Sequence, residues 1–384
     1  MNIYDTMIYC IKAEMNKSGG EFELNLSDAE GDQLYKISKS HDMVHIVGNV
    51  LIKNKIISAK TEIYDKFQKQ IMIAMYRYES LNYDFSRVAK LFEREKIKYI
   101  PLKGTVIRKM YPVPWMRTSC DIDILIEEKN FDRAAKCLLD AGLQKGSESP
   151  HDITFITQSG SHIELHYSLI EKETASDADS VLRKVWEGSA EHKGYSYWCD
   201  MSDEMFYFYH IAHMAKHFLY GGCGIKPFVD LWILDDLNGI DRAKRDELLK
   251  RGKLLPFAES VRRLSKIWFG NGEHDPITRQ MEDYILRGGV YGSSENRITV
   301  QQQKKGGRIK YVLSKIFIPY DTIKFHYPIL QKHRWLTPIM QVRRWGKLIF
   351  CGHLKRTARE IRYNSSISDT EAEKMQGFLS DIGL

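Results

Sequence analysis

Apolar residues in the first 96 positions return every three or four places, the period of helices with one buried face. Ser27, followed three residues later by Glu30, has the pattern of a capping box opening a helix to about Ser40, and helical periodicity continues over 59–78 and 84–96. From Ile97 the period shortens. The runs IKYIPL, CDIDILI, HDITFITQ and SHIELHYSL read as strands, separated by helices over 105–111 and 129–141. Helical spacing resumes after Asp177, over 179–188, 203–220, 225–237, 241–252 and 256–269. The stretch GGVYGSSENRITVQQQKKGG reads as an exposed loop or connector. These shifts divide the chain into an N-terminal helical layer (1–96), an α/β core (97–175), a helical domain (176–290) and a C-terminal helical region (291–384).

Composition narrows the class. The 384 residues, 43% hydrophobic and 28% charged with 10 prolines, are those of an ordinary globular protein of two or three domains. Six cysteines stand singly, without a close C-x-x-C pair, and read as reduced thiols. The N-terminus has no basic leader, and no apolar run approaches a bilayer-spanning length, so the expected location is cytoplasmic. The net charge of +7 is unevenly spread. Residues 304–362 hold fifteen lysines or arginines against Asp321 and Glu360, a local +13 that leaves the rest of the chain at −6. Aromatics interleave the basic residues. A surface for a polyanion, nucleic acid or membrane, is one reading, because a basic field attracts polyphosphates and aromatic faces stack bases. A solvated basic face over an apolar stripe is the other.

Three pieces of the α/β segment carry chemistry. In PLKGT a strand runs into Lys103, Gly104 and Thr105 where a helix begins, so free backbone N–H groups would suit a phosphate. A purely structural turn has the same sequence. In CDIDILI a side-chain period of two puts Asp121 and Asp123 on one face and Ile122, Ile124 and Ile126 on the other. Carboxylates so placed repel each other unless a cation lies between them, and hard oxygens suit Mg²⁺; a solvated strand edge is the plain alternative. In SHIELHYSL, His162, Glu164 and His166 alternate with apolar residues, and Glu164 becomes a third carboxylate if this strand neighbours the D-x-D strand.

Taken together, LKGTVIRKMYPVPWMRTSCDIDILI, IELHYSL, HMAKHF, GGCGIKPFVDLWIL and FIPYDTIKFHYPILQKHRWLTPIMQVRRW resemble the family of uncharacterised bacterial nucleotidyltransferases, within the DNA polymerase β-like superfamily. The likeness runs from about 97 to 350. It implies an α+β fold: a mixed polymerase β-like sheet with flanking N-terminal helices and a C-terminal helical domain. It further implies that Gly104 and Thr105 hold a nucleoside triphosphate and that Asp121, Asp123 and Glu164 hold Mg²⁺ or Mn²⁺. The implied reaction moves an NMP, with ATP the first choice of donor, onto an acceptor hydroxyl of a small molecule, a protein or an RNA. This chain has Thr where the superfamily has Ser or Gly, Glu in place of the third Asp, and a longer gap from Gly104 to Asp121. The intervening MYPVPWMRTSC is expected as a loop at the pocket's edge, with Arg117 within reach of a phosphate.

Further along, His210, His213 and His217 share a helix face. The sequence HMAKH lacks the Glu of a zinc hydrolase, so Lys216 and His217 are expected to wall the nucleotide cleft rather than bind zinc. Lys226, in GGCGIKPFVD, is a further candidate phosphate or acceptor contact. Serine-hydrolase, P-loop and protein-kinase signatures are absent. The competing function is a catalytically inactive nucleotide- or polyanion-binding protein that uses the basic C-terminal region.

Overall fold

The structure is a computed structural model and describes residues 2–16, 24–149, 151–169, 177–290, 292–350 and 354–384. Helices α1 (Ile3–Met15), α2 (Asp28–Ser40), α3 (Val44–Lys53) and α4 (Glu62–Arg94) precede the first strand. Ser27 and Glu30 cap each other in α2 as the sequence predicts, and Thr61, two residues past the expected start, caps α4. α4 runs through the expected break at 79–83. That segment, ESLNY, holds neither Gly nor Pro, so nothing interrupts the backbone ladder.

Next come β1 (Tyr99–Pro101), the short α5 (Gly104–Ile107), β2 (Asp121–Ile126), α6 (Phe131–Asp140), β3 (Gln144–Glu148), β4 (Asp152–Ile156) and β5 (His162–His166). Among the described residues these strands form one mixed sheet, ordered β1-β2-β5-β4-β3. Only the central β2–β5 pair is parallel; the remaining pairs are antiparallel. β3 was not anticipated, because QKGSE is exposed throughout and shows no apolar alternation.

The alternation expected of β2 is what the core contains. Ile122, Ile124 and Ile126, with Ile163 and Leu165 of β5 and Phe155 of β4, pack on Phe85, Val88 and Phe92 of α4 and on α6. The opposite face carries Asp121 and Asp123. That face is covered by the helical half of the chain, whose core takes in α1, α3, Leu125 and the helices after the sheet.

After α7 (Asp177–Leu182) and the small ribbon β6 (Ala190–Glu191) and β7 (Cys199–Asp200) come α8 (Asp203–Leu219), α9 (Lys226–Asp235), α10 (Arg242–Arg251), α11 (Leu255–Phe269) and α12 (Pro276–Leu286). α8 is apolar around most of its circumference, as a helix surrounded by others must be. The stretch expected as a loop contains α13 (Ser294–Lys304), capped by Ser293 and burying Ile298 and Val300. Its glycines end up in the flanking turns instead. α14 (Arg308–Ile316), α15 (Tyr320–His326), α16 (Ile329–Lys332), α17 (Thr337–Phe350), α18 (Leu354–Ser366) and α19 (Asp369–Asp381) complete the chain. α19 returns Phe378, Leu379 and Ile382 to the main core.

Candidate functional site

Strand register builds the site. Because β2 and β5 are parallel neighbours with Asp123 opposite Glu164 and Leu125 opposite His166, polar residues of both strands point to the same face. β4 joins from the other side, with Asp152 opposite His166. One ligand atom each from Asp123, Glu164 and His166 lie within 4.8 Å of one another, a grouping that can hold a metal ion. The Asp121 carboxylate, one alternate position back on β2 and opposite His162, lies outside that tight set.

His166 is the member that reasoning from carboxylates missed, although its strict alternation with Glu164 in SHIELHYSL was a signal. Its Nε2 donates to Asp123 Oδ1 at 3.0 Å and lies 3.7 Å from Glu164 Oε2, while Nδ1 faces Asp152 Oδ2 at 3.9 Å. His151 in turn holds Asp152 Oδ2 at 2.9 Å.

Lys103 supplies the positive charge. Its Nζ donates to Asp123 Oδ1 at 2.8 Å. The lysine backbone sits at φ 44°, a region non-glycine residues seldom enter, so the turn spends local strain to aim this side chain. Burial would raise the Asp123 carboxyl, but the ammonium of Lys103 and the hydrogen bond from His166 hold it well below the usual carboxylate range. Its neighbours go the other way. Burial, reinforced by the charge of Asp123, raises Asp121, and burial together with Asp123 and Asp121 pushes Glu164 up to about 8. A set of carboxyls forced apart in this manner favours a bound cation, since added positive charge relieves both burial and repulsion.

The cluster opens into a cavity of about 450 Å³, within the range of ligand pockets. Lys103, Glu164, His166 and Asp152 line one side, and Tyr209, His213 and Lys216 of α8 line the other. His217 sits behind this wall, its ring nitrogen 3.0 Å from that of His213. His210 is half-buried against the carbonyl of Pro227, at 2.9 Å.

Other expected contacts lie elsewhere. Gly104 and Thr105 are buried and outside the cavity lining, and Ser119 closes over the turn: a Cβ built on Gly104 would come 3.2 Å from that of Ser119. Arg108 locks the corner by donating to Gly104 O and Ser119 Oγ, both at 2.6 Å. The Thr105 hydroxyl is buried with no hydrogen-bond partner among the described residues. The intervening MYPVPWMRTSC does not edge the cavity. Its Trp115 and Met116 enter the core, and Arg117 forks onto Asp230 of α9 at 2.7 and 2.8 Å. Lys226 is likewise engaged away from the cavity, by Asp42 and by the carbonyl of Thr118 at 3.1 Å. These ion pairs tie the N-terminal helices, the insert and α9 together. Their partners are more than a hundred residues apart, out of reach of any local motif.

A sequence model for a family described as uncharacterised nucleotidyltransferase matches residues 27–270, more than half of the chain. The protein belongs to that family. Nucleotidyltransferase-type activity follows from membership, as does the polymerase β-like architecture of helices, central mixed sheet and long C-terminal helical region. No curated protein and no solved structure gives a significant match. For this nucleotidyltransferase, the carboxylate and histidine cluster is the candidate centre for a divalent metal. Among the described residues, no helix is long and apolar enough to cross a membrane.

Proposed function

We propose that the protein transfers a nucleoside monophosphate from a nucleoside triphosphate, ATP first among them, to an acceptor hydroxyl or similar nucleophile, with release of pyrophosphate. The observation that carries this reading is the meeting of Asp123, Glu164 and His166 beside a nucleotide-sized cavity, which Glu164 and His166 line. Two carboxylates and an imidazole fit Mg²⁺ or Mn²⁺, the nitrogen donor favouring the latter. Asp123, Glu164 and His166 would hold the ion, with Asp121 beside them. Once bound, such an ion neutralises triphosphate charge and acidifies an acceptor hydroxyl.

The chain's own residues supply the remaining work. The acceptor oxygen attacks the α-phosphorus, and the bond to the pyrophosphate oxygen breaks in line with it. Lys103, released from Asp123 or shared with it, meets charge on the phosphates. Glu164 would serve either as a ligand of the ion or as the base that takes the acceptor proton. Lys216 and His213 wall the substrate space, with His217 behind His213. Gly104 and Thr105 are assigned the triphosphate turn on the family pattern, a role that requires Ser119 to yield. Arg117 and Lys226 are assigned to holding the insert and α9 in place.

The test is incubation with each α-labelled nucleoside triphosphate and Mg²⁺ or Mn²⁺, following label into protein, RNA and small-molecule fractions alongside pyrophosphate release. Transfer by the wild type and its loss in Asp123→Asn are expected. A second reading, an inactive binder, is favoured by the resident Lys103 ammonium on Asp123. Nucleotide-dependent thermal stabilisation with no label transferred to any fraction would establish it instead.

A further inference from the structure

The C-terminal helices leave apolar side chains in water in a regular arrangement. On α14, Ile309, Leu313 and Ile316 fall at i, i+4 and i+7, a single stripe, and all are exposed, Ile309 at 77%. Tyr311, on the opposite side of the helix, is the residue α14 buries. At ~100° per residue, Arg308 and Lys310 flank Ile309 on either side. α17 and the turn leading into it repeat the device. Trp335, Ile339 and Val342 occupy one stripe and are 73%, 54% and 60% exposed. Gln341, on the other side, bonds to the carbonyl of Ile318 at 2.5 Å, and Trp345, at the stripe's edge, to that of Ile316 at 2.8 Å. Arg334, Arg343 and Lys347 stand exposed beside this second stripe. The helices join where Phe317 meets Trp345 edge to face, ring centres 5.5 Å apart.

We infer that α14 and α17 form a docking surface for an anionic lipid bilayer, on which the protein lies without spanning it. Apolar stripes flanked by Arg and Lys are the make-up of interfacial helices: the stripe enters the headgroup boundary while the cations remain among lipid phosphates. The charge is complementary, since 304–362 carries +13 by sequence against −6 for the remainder. Single-stranded RNA fits less well. Stacking platforms require open aromatic faces. Here Tyr311 is buried, Arg334 and Lys324 cover Tyr320, and Arg343 and Lys347 cover Tyr327, whereas most of the exposed groups are aliphatic.

Flotation of the full chain with phosphatidylcholine vesicles, with and without 30% phosphatidylglycerol, tests the surface. Binding to the anionic vesicles alone, weakened by salt, is expected. An Ile309→Ser, Leu313→Ser, Trp335→Ser, Ile339→Ser variant should lose at least tenfold in partitioning with its melting temperature unchanged, because these side chains are solvated in the free protein. An Arg343→Gln, Lys347→Gln variant should lose about 25-fold, each neutralised cation being worth about fivefold. Equal binding to neutral vesicles, or none to either kind, overturns the inference. So does tight binding of a mixed-sequence RNA that survives the serine substitutions, which would mark a polyanion site. A dimer that the serine substitutions dissolve, without vesicle binding, would show instead that the stripes cover each other.

Discussion

Lys103 Nζ lies 2.8 Å from Asp123 Oδ1, a lysine on the turn after β1 meeting a carboxylate on the adjacent strand. The pairing of β1 with β2 sets this up: Pro101 opposes Ile124, and the Leu102 N–H donates to the carbonyl of Asp123 at 3.0 Å. The carboxylate is 3% exposed, so its charge depends on the ammonium wherever no metal ion stands in. Replacing Lys103 by Met therefore has two expected results. Stability in chelator falls by about 3 kcal/mol, the scale of a broken buried pair, and Mn²⁺ restores it. Mn²⁺ affinity also rises several-fold, because the ion no longer competes with a resident cation. Melting curves and calorimetric titration check both; unchanged affinity would mean that ammonium and ion do not share Asp123.

The three-residue cluster sets the pH dependence of metal binding. Glu164 titrates near 8, raised by burial and by its acidic neighbours, so at pH 6 its carboxyl keeps a proton that a metal must displace. Mn²⁺ affinity should climb between pH 6 and 8 and then level off. Glu164→Gln should lower affinity at pH 8 by at least tenfold and flatten the profile, whereas His166→Ala should lower it while keeping the rise with pH.

Arg117 separates a positional from a catalytic role. Its fork onto buried Asp230, which also accepts from Tyr111 at 2.7 Å, makes it part of the scaffold. Arg117→Met is expected to destabilise by about 3–5 kcal/mol by stranding Asp230. Nucleotide KM in the surviving folded fraction should change little. Chemical denaturation and steady-state kinetics distinguish this from loss of a phosphate contact, which would raise KM at constant stability.

Two buried histidines contribute to acid sensitivity. Burial pushes both His41 and His45 down to about 4, although each donates to a backbone carbonyl, His45 to Met116 at 2.7 Å. The unfolded chain protonates them near 6.5, the folded one only near 4, so stability is complete above about 6.5 and is lost as pH falls toward 4. A loss of a few kcal/mol over that window is expected. His45→Gln should reduce the slope of melting temperature against pH below 6.5, and an unaltered slope would remove His45 from the account.

The chain's periodicities determined most of the secondary structure and the faces it presents. Alternation in CDIDILI and SHIELHYSL is local, since a strand's side chains must point to opposite sides. It was enough to place Asp121 and Asp123 on one face and to make Glu164 a partner if the strands were neighbours. Capping pairs such as Ser27 and Glu30 mark helix ends for the same reason, as they act within three residues.

Relations across long separations came from folding alone. β2 and β5 lie parallel with Asp123 opposite Glu164, and this register brings His166, rather than Asp121, into the tight cluster. Arg117 and Lys226 each carry a charge suited to phosphate. The buried carboxylate at 230 and the half-buried one at 42, more than a hundred residues away, engage them because charges taken out of water need partners. A residue type and its spacing specify what a side chain is able to do. What it meets is specified by packing, which no short stretch of chain contains.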